Sequence, residues 1–522
     1  MAAAPAAAIE EQAKRPRIKT IEICDFRAFP GPTPVVVEFG GKNLFLFGEN
    51  GVGKSTIFQA LDGLFAYARS PSDLAQELKD QANRFTPVGE QGKGYVRVNY
   101  DDDKLPAKWS SAGHPANTNP GPANERIVNA ALAKAILDYR SLLQTNYDHG
   151  DEEVNLFDIC VDQLLRDPTV TGETLGEIWL RLESKLSLGQ IRKAQRDEIA
   201  EDSRKFNDGL AEAADAILPL INPILKGLRY DDIQVTKLTP KRIAYNNAGL
   251  KEGRTYTDRS VVPEITFHGV PVDHPQLFLN EARLSALALA IYCAGRKLAE
   301  IQANNDMPWI MVLDDVLIGL DQANRVPLLD VLAEHYRDWQ IIILTHDRVW
   351  FDIARQYQRI GQADRFWAYW QLHQPQDHKF APIATDVDSS ASAQILVQAR
   401  RFLKEGHLHA AGNAARLATE FALREFCAVK RVQTPYVAPP EVLPASKFLD
   451  AVGSFDTEGH YASVINSIRM YTTILLNPLS HGGTPEVTPS EVTGAIEVVD
   501  KLLFALKVLP TTEIKKRKAQ MG

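Results

Sequence analysis

Short apolar alternations, of the kind a pleated strand needs, open the chain at Ile18–Cys24 and return at Val35–Phe39 and Leu44–Phe47. A three-and-four spacing then predicts a helix over Thr56–Ala66. A strand at Tyr95–Tyr100 follows, then a loop over Pro106–Asn124 crowded with Pro, Gly, Asn and Ser. From about 125 to 229 the pattern predicts helices with short breaks, at Ile127–Leu143, Glu152–Leu165 and Ile199–Leu225. No heptad persists there long enough for a long coiled coil. Strands are expected again at Ile233–Leu238, Ile265–Phe267, Trp309–Leu313, Gln340–Leu344 and, last, Trp367–Leu372, with helices at Glu281–Leu298 and Gln322–Tyr336 among them. Thr385–Ala393, with three serines and two aspartates, reads as a linker, and only helical patterns follow, to about Leu509. The expected organisation is a mobile tail (1–17), an α/β domain (18–385) with a helical insertion (about 125–229), an all-α domain (393–509) and a basic tail (510–522).

Composition narrows the classes. With 45% hydrophobic and 24% charged residues, the 522-residue chain can bury a sizeable core. Its 58 basic and 66 acidic residues leave a net charge of −8, so it is not a polycation. Nucleic acid would have to meet local patches, such as the arginines of the C-terminal helices and the Lys515–Lys518 tail. Cys24, Cys160, Cys293 and Cys427 stand apart with no C-x-x-C, which argues against a zinc ribbon, a zinc hook or a disulfide framework. No run reaches the ~18 apolar residues of a membrane span, and Met1–Arg17 lacks the basic start of a signal segment. A soluble cytoplasmic protein with no membrane partner is expected.

The chemistry begins at Gly48-Glu49-Asn50-Gly51-Val52-Gly53-Lys54-Ser55, which fits G-x-x-x-x-G-K-[ST] between a strand and a helix. Gly48, Asn50, Gly51 and Gly53 belong to a loop whose backbone N–H groups curl around phosphates, as does Thr56 at the helix start. Lys54 reaches the β/γ oxygens and Ser55 ligates Mg²⁺. A second motif agrees: Ile310–Leu313 is a buried strand ending in Asp314 and Asp315. The first carboxylate would hold Mg²⁺, and the second would orient or deprotonate the attacking water. ATP and Mg²⁺ are the expected cofactors.

Gly319-Leu320-Asp321 and Thr345-His346-Asp347 follow in order, and with Asp25-Phe26-Arg27-Ala28-Phe29 they resemble the ABC-type ATPase head of the SMC and RecF proteins. Leu313-Asp314-Asp315-Val316-Leu317 is most similar to the RecF branch. The resemblance implies that Asp321 lies in the D-loop and that His346 is the switch histidine sensing the γ-phosphate. It also implies a signature segment, for which Leu279-Asn280-Glu281-Ala282-Arg283 is the candidate, with Asn280 in the serine position. Glu281 and Ala282 stand there in place of two glycines. Two heads would then sandwich two nucleotides, making a homodimer the minimal active unit. Gln81 and Gln91 are both in range for the Q-loop.

In the expected helix His407–Lys430, Asn413, Arg416, Glu420 and Arg424 form one polar stripe. Asn477-Pro478-Leu479-Ser480-His481-Gly482-Gly483 is a turn, and Thr488, Pro489 and Glu491 are a helix start with a capping box. The R-x-x-x-E helix and the N-x-x-S-H turn resemble the HEPN-like nuclease domain of the anticodon nucleases PrrC and RloC. That resemblance implies a metal-independent ribonuclease site at Arg416, Glu420 and His481, cleaving tRNA under ATPase control in antiviral defence. His481 and Glu420 would move protons and Arg416 would hold the oxyanion. Two further readings stand beside it. In one, a non-catalytic bundle serves a RecF-like sensor that binds DNA or a separate effector or inhibitor protein. In the other, the chain is a DNA-maintenance ATPase.

Overall fold

Apolar at every position, Ile310-Met311-Val312-Leu313 and Ile341-Ile342-Ile343-Leu344 suit strands buried on both faces. In the computed structural model they are neighbours in a parallel sheet. The structure describes residues 15–66, 74–102, 106–110, 134–138, 157, 169–170, 173–188, 191–246, 253–302, 308–388, 391–435, 444–473 and 487–507. The chain divides into two units, Met1–Thr385 and Asp386–Gly522.

The first unit opens with β1 (Ile18–Cys24), β2 (Val35–Glu38), β3 (Asn43–Gly48), α1 (Lys54–Ala66), α2 (Leu74–Asp80), β4 (Tyr95–Tyr100), β5 (Ala107–Ser110) and β6 (Lys134–Asp138). A small hairpin, β7 (Thr169–Val170) and β8 (Glu173–Thr174), leads into α3 (Leu175–Leu186) and the long α4 (Lys193–Gly227). Next come β9 (Ile233–Pro240), β10 (Ala244–Asn246), β11 (Thr255–Thr257), β12 (Val261–Phe267), β13 (Val270–Val272), α5 (Pro275–Phe278) and α6 (Glu281–Gln302). The unit finishes with β14 (Ile310–Asp314), α7 (Gln322–His335), β15 (Gln340–Thr345), α8 (Arg348–Ile360), β16 (Trp367–His373) and β17 (Ile383–Asp386).

The central sheet has the order β17-β16-β3-β15-β14-β6, and β16, β3, β15, β14 and β6 run parallel. A second, antiparallel sheet has the order β2-β1-β4-β5. Helix α1 packs between the two. Its Ile57, Leu61, Leu64 and Phe65 share one core with Ile21, Ile23, Val96 and Val98 of the antiparallel sheet and with Leu44, Leu46, Val312 and Ile342 of the parallel one. The opposite face of β3 carries Phe45, whose ring stacks on Phe351 of α8 at 5.5 Å. Gln340 ties the sheets together: its buried side chain accepts from Ile18 N (2.6 Å) and donates to the carbonyls of Ile18 (2.8 Å) and Lys42 (2.7 Å).

The second unit is helical among its described residues: α9 (Ala391–Lys404), α10 (Leu408–Lys430), α11 (Ala445–Phe455), α12 (Ala462–Tyr471) and α13 (Pro489–Lys507). Ala411, Ala415, Ala418 and Ala422 give α10 a fully buried face of small side chains, which lets α9 and α13 approach closely. The capping box at Thr488 forms: its hydroxyl accepts from Glu491 N (3.3 Å), and Glu491 accepts from Thr488 N (2.9 Å).

Several sequence expectations change. The insertion is not purely helical. Within the predicted helix Ile127–Leu143, Lys134–Asp138 is β6, paired in parallel with β14 so that Asp138 stands level with Asp314. Its apolar core is only Ala135-Ile136-Leu137, too short for periodicity to separate strand from helix. The hairpin β7–β8 adds more strand to the insertion. The loop expected over 106–124 contains β5, because Trp109 fills the core beneath α1 and β4 offers a free edge for pairing. Trp367–His373 is not the last strand, since β17 follows and takes up the start of the expected linker. Nor do Arg15 and Arg17 belong to a loose tail: Arg15 pairs with Glu300 (3.1 Å), and Arg17 donates to Trp339 O (3.1 Å) and Asn43 Oδ1 (2.6 Å). The helix predicted at Glu152–Leu165 lies almost wholly outside the described residues, as do Asn477–Gly483 and the 510–522 tail. Among the described residues no helix is long and apolar enough to cross a membrane. Cys24, Cys293 and Cys427 are buried thiols.

Candidate nucleotide site

Strand β3 brings Gly48 to the C-terminal edge of the parallel sheet, and the chain turns through Glu49–Gly53 into α1. Gly51 and Gly53 adopt φ of 85° and 107°, a left-handed backbone that side chains resist. A Cβ on Gly53 would stand 2.4 Å from the Phe29 ring. The loop is therefore pressed onto the Asp25–Phe29 turn, where Ala28 N–H donates to Thr56 Oγ1 (3.4 Å). Thr56 is buried, whereas Asn50, Gly51 and Ser55 are exposed.

Lys54 is 5% exposed, and its ammonium donates to the carbonyls of Gly48 (2.8 Å) and Glu49 (3.1 Å). Burial lowers its pKa, against the opposing fields of Asp315 and Asp314. The charges of both carboxylates thus act on the lysine, although they lie 260 and 261 positions away in sequence. They reach it because β15 alone separates β14 from β3 in the sheet. Asp314 is buried at the end of β14. Asp315 follows with φ 54°, and its N–H donates to Leu344 O (3.0 Å). A left-handed aspartate costs on the order of 1 kcal/mol, and here it holds the carboxylate against the next strand end. There Asp315 Oδ1 accepts from His346 N (3.0 Å) and lies 3.0 Å from His346 Nδ1.

Among the described residues no cluster of three His, Cys, Asp or Glu side chains could hold a metal. Magnesium does not need one: it takes one or two protein oxygens and completes its shell with phosphate oxygens and water. The Ser55 hydroxyl and the Asp314 carboxylate are hard oxygen donors of that kind, and they fit.

Asn280 and Asp321 belong to a second group. Asn280 Oδ1 accepts from Arg283 N (3.0 Å), capping α6, and Arg283 Nη2 donates to Asp232 Oδ2 (2.8 Å) with its guanidinium over the Phe267 ring (5.2 Å). Asp321 is exposed ahead of α7, and its carbonyl accepts from Asn324 N (2.9 Å). Buried Tyr230 sits among Asn324, Asp321 and Arg283, and burial raises its hydroxyl pKa. Neither glutamine stands out as a Q-loop. Gln81 Oε1 accepts from Arg27 Nη1 (3.2 Å), and Gln91 Nε2 donates to Thr86 O (3.0 Å).

Sequence reasoning missed two anchors. Buried Asp25 accepts from Asn83 N (3.1 Å), Thr86 Oγ1 (2.6 Å) and Gly92 N (3.1 Å), fixing the turn beneath the loop. Arg325 bonds Asp347 beside His346. The first could have been suspected from an aspartate opening the Asp25–Phe29 motif; a lone arginine gives no such signal.

In the second unit, Arg416 Nη1 lies 3.5 Å from Glu420 Oε1, and both side chains are partly exposed. Asn413 is exposed, while Arg424 turns inward over the rings of Phe421 (5.6 Å) and Phe448 (5.8 Å). His481 lies outside the described residues.

Residues 20–215 match the family model of the AAA domain. With the parallel sheet and the glycine loop, this makes the first unit an α/β P-loop ATPase fold. No curated protein matches the chain. Among solved structures it is similar to SMC head domains. That of Pyrococcus furiosus, with an extended coiled coil and bound to the C-terminal domain of ScpA, is 15% identical with a TM-score of 0.40, covering 75% of this chain and 100% of that one. The Pyrococcus yayanosii head with coiled coil and joint is 13% identical with a TM-score of 0.41, covering 75% and 100%. The Thermotoga maritima head is 15% identical with a TM-score of 0.36, covering 72% and 100%.

Proposed function

We propose that the protein is an ATPase of the RecF/SMC type that works as a homodimer or higher homo-oligomer through its heads, its nucleotide state governing the helical C-terminal unit. The observation that carries this reading is Lys54, buried in the glycine loop and held by its carbonyls, within the field of both Asp314 and Asp315. Phosphate oxygens would take over the ammonium's bonds to the loop carbonyls, and the loop N–H groups would add theirs. Ser55 and Asp314 would hold Mg²⁺, which supplies charge neutralisation when bound. Asp315, oriented by His346, would align and deprotonate the attacking water. Asn280 and Asp321 would meet the nucleotide of a partner head.

A second reading is favoured by the Arg416–Glu420 pair. A basic residue four positions before an acidic one is the weaker helix-supporting order, and both side chains keep contact with solvent. With His481 they would form a metal-independent site that cleaves tRNA, giving an ATP-controlled toxin of antiviral defence. In the alternative the unit is a docking module for DNA or a separate effector protein.

One set of measurements separates these readings. Lys54→Ala should abolish ATP binding, and Asp315→Asn should bind ATP without turning it over; unchanged binding in the first would refute the nucleotide site. Bulk tRNA incubated with wild type, Arg416→Ala and His481→Ala, with and without ATP, decides the rest. RNA left intact throughout, or cut equally by His481→Ala, would sink the nuclease reading and leave the docking module.

A further inference from the structure

On the ATPase reading above, Arg325 lies outside every motif yet bonds the loops that carry the site. Its guanidinium joins three segments. Nη1 donates to Asp347 Oδ2 at 2.7 Å, Nε donates to Leu320 O at 3.1 Å, and the residue itself sits in the first turn of α7. The arginine side chain is only 11% exposed and that of Asp347 27%. Asp347 is fixed independently as well: its Oδ1 accepts from Trp350 N (3.0 Å) at the start of α8, and its N–H donates to Thr345 Oγ1 (3.1 Å).

The neighbours of this clamp give it meaning. Leu320 ends the turn that leaves β14 through Asp315, and Asp347 directly follows His346 at the end of β15. The loops joined by Arg325 are therefore the two that carry the Asp315–His346 contact. A small pocket lies between them, lined by Leu313, Asp315, Arg325, Thr345, Asp347 and Trp350. The β14–β15 ladder ends at Asp314 and Leu344, with one further backbone bond from Asp315 N to Leu344 O. Beyond that, Asp315 holds a left-handed conformation that relaxes unless its surroundings over-determine it. A planar fork with donors on two sides bridges a carbonyl on one loop and a carboxylate on the other in a fixed geometry, which a lysine's single flexible ammonium holds less rigidly.

We propose that Arg325 is a positioning residue for ATP hydrolysis, clamping the Leu320 carbonyl to the Asp347 carboxylate so that Asp315 and His346 stay in register. An ion pair that only stabilised α8 would need no bond to Leu320, since Asp347 already caps that helix through Trp350.

The test uses the full chain with Arg325→Ala, Arg325→Lys and Asp347→Asn, the last retaining an oxygen to cap Trp350. ATP affinity, kcat, KM and melting temperature are measured for each. Arg325→Ala and Asp347→Asn should each lower kcat by about tenfold or more while ATP affinity stays within about threefold. The double variant should be no slower than either single one, because one linkage is broken, and Arg325→Lys should recover part of the rate. Unchanged kcat in both single variants would overturn the proposal. So would kcat and affinity falling together in step with melting temperature, which is the mark of a purely structural bond. ATP binding without turnover in every variant, wild type included, would overturn it while leaving the nucleotide site intact. A wild type that binds no ATP would bring down the site reading as well.

Discussion

Asp347 shows how one carboxylate can be pulled in opposite directions. Burial works to raise its pKa, but the N–H of Trp350 and the Arg325 guanidinium outweigh it and hold the group below the ordinary aspartate value. A carboxyl whose folded-state pKa is depressed contributes stability that is complete above its unfolded value and is lost as pH falls through the folded one. Wild type should therefore melt above Asp347→Asn at neutral pH, and the two should converge as pH falls from the ordinary aspartate range through the depressed folded-state value. Thermal denaturation across that range checks it, and a gap independent of pH would show that the charge contributes nothing. At this scale the site was only partly legible in sequence. Lys54 and Asp314 sit in short motifs suited to phosphate and magnesium chemistry, whereas His346 was singled out only by the resemblance to SMC and RecF heads. Asp25 and Arg325 act through hydrogen bonds to residues far along the chain, such as Thr86 and Asp347, and such bonds leave no local pattern.

Among the elements, β14 and β15 were readable because strands buried on both faces must be apolar throughout. The same logic failed for β6, whose three apolar residues suit either period, and for β5, which lies among turn-forming residues and is a strand because of pairing to β4. What joins the elements was not readable at all. Gln340 looks in sequence like the polar start of a strand, yet it is 1% exposed and makes three bonds to backbone on β1 and beside β3. Gln340→Met keeps the volume but leaves Ile18 N–H and the Lys42 carbonyl without their bonds to it, while the Ile18 carbonyl keeps its bond from Gly41 N (3.2 Å). Given roughly 1–3 kcal/mol for each buried group left unsatisfied, a loss of about 3 kcal/mol is expected, read as a lower urea midpoint with unchanged slope. A midpoint within error of wild type would mean that water replaces the side chain and that the two sheets are held by their shared core alone.

For the whole molecule, the arrangement of exposed groups bears on assembly. Ser55 and Asn50 on the glycine loop, Asn280 ahead of α6 and Asp321 ahead of α7 all reach solvent on the first unit. Asp321 lies beside Tyr230, and Asn280 joins the same group through Arg283. On the proposed reading the glycine loop and this group would be two half-sites, and a head-to-head dimer is the arrangement in which each half would complete the other across a two-fold axis. Nucleotide held between the heads would then favour the dimer in proportion to its preference for that state, and hydrolysis would release it. The net charge of −8 opposes association at long range, so the dimer should depend on nucleotide rather than form by default. Asp315→Asn, loaded with ATP and Mg²⁺, should therefore accumulate as a dimer by light scattering coupled to size exclusion. Wild type should do so only transiently, and Lys54→Ala not at all. Adding Asn280→Asp to Asp315→Asn should return the mass to that of a monomer, because a carboxylate would face the phosphates of the opposite head. A mass that ignores ATP in every variant would confine the nucleotide's action to a single chain, and the second group around Tyr230 would then be a structural cluster with no part in the reaction.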